Sequence, residues 1–197
     1  VLKLPHLSRL HWQQFVLGLL VGCPWAYAFS PFEHWWLGLG LLVLWPQLQS
    51  RLYRSRSESN RSPIFGQHRR LRWSWFMGGL GFGLSAYGLG TYWLYTSLHT
   101  YGGLPAPLAV AALFAFALYL GLFSGLASYL YAHCLHLGPL ATDHSRIRAT
   151  VINARRSPSL PWMWAGFWTF FEWLRGTFLT GFSWLSLGDA LVDSPFE

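Results

Sequence analysis

Long apolar runs and short arginine-rich runs alternate along the chain. Apolar residues fill 12–29, 34–48, 73–98, 108–135 and 160–182, and within all five stretches Glu172 and Arg175 are the only Asp, Glu, Lys or Arg residues. A helix needs about 20 residues to cross a bilayer. The pattern therefore predicts an all-α integral membrane protein, a polytopic bundle of about five transmembrane helices, with 183–197 able to begin a sixth. The first two runs are joined by SPFE, where Ser30 and Pro31 make a turn, and form a helical hairpin; the second run is short and is interrupted by Pro46. Residues 50–72 and 138–159 are polar and basic without an apolar period, which marks them as solvated loops.

Composition agrees and narrows the class. The chain is 53% hydrophobic and 11% charged, against about 25% charged in a soluble domain, which excludes an ordinary soluble fold. The net charge of +7 raises the question of a nucleic-acid partner. Its placement answers that question. If all five runs cross, thirteen of the fourteen basic residues fall on one side: Lys3, Arg9, seven arginines in 50–72, and Arg146, Arg148, Arg155 and Arg156; Arg175 is the exception. The positive-inside rule makes that side the cytoplasm, with the chain end outside, and leaves no nucleic acid to invoke. The expected location is the bacterial inner membrane, multi-pass, with the lipid bilayer as the surrounding partner.

Pro24, Trp25 and Tyr27 stand where a signal-peptide cleavage site would need small residues, so the first run reads as a retained span. The chain opens at Val1 and closes on VDSPFE, and the sequence is expected to be a fragment.

Other motifs resolve into structure. GFGLSA, residues 81–86, has the letters of a dinucleotide fingerprint but sits inside a membrane run. The pairs Gly18/Gly22, Gly79/Gly83 and Gly121/Gly125 have the four-residue spacing of close helix packing. His133 and His136 share a helix face without a third or fourth ligand and Cys134 points elsewhere, so no metal or cofactor is expected. His99, among Tyr92, Trp93, Tyr95 and Tyr101, reads as part of an outer aromatic belt. Cys23 and Cys134 match no CxxC or metal spacing and read as buried thiols.

The stretch FFEWLRGTFLTGFSW, 170–184, is the chemically unusual one. Burying Glu172 unpaired at mid-depth would cost several kcal/mol, and Arg175, three residues on, shares its helix face and can pair with it. Two readings stay open: a self-neutralising pair held for packing, or a polar foothold for a lipid headgroup or a water-filled opening at the outer leaflet.

The order FSPFEHWWLG, YWLYTSLHTYGGLPAPLA, FFEWLRGTFLTGFSWLSLG and VDSP resembles the membrane portion of bacterial apolipoprotein N-acyltransferase. The resemblance runs from the first hairpin to the last residue, apart from the basic loops. It implies an inner-membrane enzyme that moves an acyl chain from a membrane phospholipid to the N-terminal amine of a diacylglyceryl-cysteine lipoprotein. The membrane bundle holds the lipids, and a nitrilase-like α/β domain carries a Glu, Lys and Cys constellation that works through a thioester. This chain holds no counterpart of that domain, and its single lysine is Lys3. No catalytic residue is therefore carried over, and the 197 residues by themselves are expected to be inactive. Ser183 replaces a usual proline, and Asp189 stands near where a tyrosine is usual. The resemblance makes Glu172 and Arg175 a buried polar pair supporting the outer loop. It places Trp184 near the mouth of the active site, against the alternative of a belt tryptophan among thirteen. Competing functions are a non-enzymatic membrane anchor or scaffold derived from the bundle, and a small transporter, which should show inverted repeats that are not apparent here.

Overall fold

The structure is a computed structural model that describes residues 9–29, 32, 34–57, 67–137, 159–192 and 194–195. Lys3, Glu33, most of the 50–72 loop's centre, residues 138–158, Asp193 and Glu197 lie outside the described residues. Every regular element among the described residues is helical.

Helix α1 (Arg9–Gly22) tightens into a 3₁₀ turn (Cys23–Ala28) with Pro24 near its start, where a missing N–H ends the α-helical ladder. Helix α2 spans Trp35–Ser57 and α3 Gln67–Gly90; α4 (Trp93–Thr96) runs into a π turn (Ser97–Tyr101). Helix α5 spans Ala106–Leu137, α6 Ser159–Thr177, then come a 3₁₀ turn (Phe178–Thr180) and a short α7 (Leu187–Leu191).

Helix ends depart from the edges of the apolar runs. Helix α2 continues into the expected 50–72 loop as far as Ser57, because Tyr53 packs on the core and the Ser50 hydroxyl donates to the Pro46 carbonyl at 2.7 Å. Helix α3 begins before its apolar run, with Leu71 buried one turn in. It also stops at Gly90, short of the expected 98, where Thr91 turns both its N–H and its hydroxyl onto the Tyr87 carbonyl. Helix α6 ends at Thr177 instead of 182, since Leu179 (φ 49°) and Gly181 (φ 74°) adopt left-handed or otherwise positive-φ backbone.

The long helices alternate in direction. Gly18 and Gly22 lie against Gly78 and Phe82, so α1 runs parallel to α3. Gly83 meets Gly121, Gly79 meets Ser124, and Phe76 meets Gly125, so α5 runs antiparallel to α3. A Cβ on Gly18 would strike the Gly78 carbonyl, and one on Gly83 would strike the Gly121 backbone. Packing of this kind, with backbones in contact, is what holds apolar helices together when lipid is as apolar as they are.

Rings fill the space between the helices. Trp25, Phe82 and Trp168 have centroids 5.5 to 5.7 Å apart, and Trp164 links Trp168 (5.6 Å) to Tyr131 (5.3 Å), so the first 3₁₀ turn, α3, α5 and α6 share one aromatic core. Two polar ties add direction: Gln14 Nε2 donates to the Gln49 carbonyl at 3.0 Å, and Gln49 Nε2 donates to the Trp75 carbonyl at 3.1 Å. Pro46 supplies a third tie. Lacking an N–H, it leaves the Leu42 carbonyl without its helical donor, and the Trp164 indole of α6 fills that place at 2.9 Å.

The exterior is apolar. Within α5, residues Ala106–Leu135 form a stretch long and apolar enough to cross a membrane, with a mean hydropathy of 2.2 and Val110, Phe114, Leu122 and Leu126 facing outward. It is the one such helix among the described residues. Trp162, Phe170 and Trp173 continue the outward apolar surface on α6.

Candidate functional site at one end of the bundle

The end of α3, the start of α5, the end of α6 and α7 meet at one end of the bundle. There the charged residues of FFEWLRG do their work. Arg175 is 1% exposed, and its guanidinium lies over the Tyr87 ring with Cζ 4.9 Å from the centroid. Its Nη1 donates to the Trp184 carbonyl at 2.7 Å, while its own carbonyl accepts the Phe182 N–H at 3.0 Å. Glu172, one turn back, accepts the Leu187 N–H on Oε1 at 2.9 Å. The two side chains thus clamp both ends of the 184–187 segment onto α6.

Of the two readings left open for Glu172 and Arg175, direct pairing is not the geometry seen, since each side chain takes a loop backbone partner. No ion pair within 4.0 Å joins them in the structure, although each lies in the other's field. Geometry explains this: a guanidinium that reaches over Tyr87 to the Trp184 carbonyl cannot also fold back one turn. The carboxylate offsets the buried charge at a distance, and the loop backbone takes the direct bonds.

Other contacts fix the loop's shape. Leu185 is buried with φ 62°, its side chain seated on Gly90, a conformation that an L-residue adopts only when its surroundings hold it there. Ser186 and Asp189 form a capping box that starts α7, with Asp189 Oδ2 accepting the Ser186 N–H at 3.0 Å. Gly181 is required as glycine, since a Cβ there would strike the Gly176 carbonyl and φ is positive.

What this frame presents is aromatic. Trp184 is 59% exposed, with its ring 5.3 Å from Trp93 and 6.5 Å from Phe182, and Phe182 packs on Phe116 at 4.9 Å. Phe178 and Leu179 stand exposed beside them, with the Phe178 carbonyl accepting the Tyr119 hydroxyl at 3.4 Å. A cavity of about 10 Å³ lies beneath, lined by Tyr87, Ser124, Trp168, Phe171, Glu172 and Arg175. Its size suits one water and excludes an acyl chain. Arg175 Nε and Nη2 have no protein partner there.

All three predicted site residues therefore meet in one place, Glu172 and Arg175 beneath the loop and Trp184 on top. Sequence reading missed Tyr87 and the loop backbone groups as the partners. Cys23 and Cys134 are both free and half-buried, and they belong to opposite ends of the bundle. No group of three or more His, Cys, Asp and Glu side chains comes together among the described residues.

Bundle and rim define a class: an all-helical domain with an apolar exterior and a rigid aromatic loop at one end. The family model for the apolipoprotein N-acyltransferase N-terminal domain matches residues 21–197, and the chain belongs to that family. It is similar to the apolipoprotein N-acyltransferase of Ralstonia nicotianae, 34% identical over 182 residues, covering 91% of this chain and 28% of that protein. The Pseudomonas putida enzyme of the same name is 34% identical over 190 residues, covering 96% and 31%. That of Bordetella bronchiseptica is 46% identical over 114 residues, covering 58% and 20%. The chain thus spans less than a third of the length of these relatives.

Proposed function

We propose that the chain is the membrane part of an apolipoprotein N-acyltransferase, in which a phospholipid donates an acyl chain to the N-terminal amine of a diacylated lipoprotein. The observation that carries this reading is the double clamp of Arg175 and Glu172 on the 184–187 segment, which holds Trp184 exposed in a fixed aromatic rim. A rim of this kind suits acyl chains leaving the bilayer, because its rings offer apolar area with little rotamer freedom to lose. Five helices cross the bacterial inner membrane, the N-terminus and basic loops are cytoplasmic, and the rim faces outward. The antiparallel alternation of α1, α2, α3, α5 and α6 supports this topology, as does the position of the described arginines other than Arg175 at the opposite end.

The chemistry itself comes from residues outside these 197. A thioester mechanism needs a thiolate at the aqueous face, a base to take its proton and a donor for the carbonyl oxyanion, and among the described residues no acidic side chain joins Cys23 or Cys134 in a cluster. The bundle's share is to hold the donor and acceptor chains beside that apparatus.

The test joins this bundle to the remaining portion of the Pseudomonas putida relative and measures transfer to a diacylated lipopeptide. Trp184→Ala is expected to lower transfer at least about tenfold while leaving the protein folded, on the scale of one lost aromatic anchor. Unchanged transfer would remove the rim from the mechanism. The 197-residue chain, incubated with labelled phospholipid, is expected to take up no hydroxylamine-sensitive label above a Cys23→Ser, Cys134→Ser control. Reporter fusions at Arg61 and Glu197 should report opposite sides of the membrane.

A further inference from the structure

A second guanidinium is held at the other end of the bundle, where α3 begins and α5 ends. Arg72 Nη1 donates to His133 Nδ1 at 3.0 Å, and its Cζ lies 5.7 Å from the Tyr129 ring centroid. A guanidinium has only donors, so Nδ1 is the acceptor and the imidazole keeps its N–H on Nε2. Arg72 Nε is buried and has no protein partner. Trp73, 36% exposed, sets its ring edge-on to Tyr129 at 5.9 Å, and Arg69 and Arg70 are exposed beside it. The two acidic residues whose side chains are described, Glu172 and Asp189, are both at the rim end. Among the described residues, therefore, no carboxylate answers this cluster of arginines.

We propose that Arg72 and His133 bind the phosphodiester of an anionic phospholipid in the leaflet at this end of the bundle. The proposal rests on the reading that the helices cross a bilayer, and it is independent of the acyl-transfer site. Depth supports a lipid. The apolar stretch of α5 ends at Leu135, two residues beyond His133, so the guanidinium sits where hydrocarbon gives way to headgroups. Chemistry supports a phosphate. The one acceptor of the pair, His133 Nδ1, is taken by Arg72, so only donors are left free, the guanidinium is already oriented by the imidazole and the tyrosine face, and a planar fork matches two phosphate oxygens. The Trp73 and Tyr129 pair gives the glycerol and first methylenes an amphipathic wall, which a free phosphate would not use.

The test uses the chain purified and delipidated in a neutral detergent, with lipid binding read by native mass spectrometry. Phosphatidylglycerol is expected to bind about tenfold more tightly than phosphatidylcholine, the scale of one charge-assisted contact. Arg72→Gln should abolish that preference. Arg72→Lys, which keeps the charge and drops the fork, should lose most of it and serves if the glutamine variant does not fold. Arg69→Gln with Arg70→Gln should keep it. Equal binding of the two lipids by the unaltered chain, or a preference that survives both Arg72 variants, would overturn the site. A preference lost equally in the Arg69 and Arg70 double variant would make it general attraction to a basic surface. Full competition by inorganic phosphate at matched concentration would make free phosphate the ligand and refute the lipid.

Discussion

Arg175 and Arg72 are alike in chemistry and opposite in circumstance. Each lays its guanidinium over a tyrosine, at 4.9 and 5.7 Å, at opposite ends of the bundle. Arg175 is almost wholly buried, donates to a loop carbonyl and has Glu172 one turn away. Arg72 is half-buried, donates to a histidine and has no described acid near it. The difference separates a charge that organises the protein from one left available to something outside it. Burial with an internal counter-charge fixes structure; partial burial without one leaves a site to be filled from the headgroup layer.

The sharpest way to break this contrast is to remove each guanidinium. Arg175→Leu strands the Trp184 carbonyl, releases the loop and leaves Glu172 without its counter-charge. We expect a loss of about 3 kcal/mol or more, the scale of breaking a buried charged contact. Arg72→Gln should cost under about 1 kcal/mol, as for a partly exposed polar group. Unfolding in mixed micelles titrated with a denaturing detergent measures both. Equal losses would erase the distinction.

Glu172→Gln sharpens it. The amide oxygen still accepts the Leu187 N–H, so the clamp's geometry survives and only the charge is removed. A loss of about 1 to 2 kcal/mol is expected, between those of the two arginine variants. If Glu172→Gln costs nothing, the carboxylate does not compensate Arg175, and the field between them is screened.

The contrast also shows how far the sequence could be read. A helical bundle was legible because apolar runs of membrane length have few other uses, and Gly18, Gly83 and Gly121 announced close packing by their spacing. Helix ends were not. Leu71 and Tyr53 extend helices into polar sequence through tertiary packing, and the turn after Thr177 depends on positive φ at Leu179, where no glycine signals it. Glu172 and Arg175 stood out because charge in an apolar run needs a reason. Their helical spacing suggested each other as partner, while the actual partners, Tyr87 and the 184–187 backbone, are distant in sequence or carry no side-chain signature. Arg72 was hidden by its company: among seven arginines in one basic segment, nothing in the letters set it apart.

The smallest expected effect provides a neutral reference between the two charged ends. Trp164 donates to the Leu42 carbonyl, which is free to accept because Pro46 has no N–H. Trp164→Phe keeps most of the ring packing and removes the donor, so it should cost about 1 kcal/mol. Pro46→Ala restores an N–H able to bond Leu42, after which the indole is no longer needed. In the Pro46→Ala background, Trp164→Phe should therefore cost less, with a coupling of about 0.5 kcal/mol or more from the double-mutant cycle. Additive losses would mean that the indole bond contributes nothing beyond the ring's volume. A measurable coupling would set the value of one neutral hydrogen bond in this bundle, against which the larger loss at Arg175 can be assigned to charge.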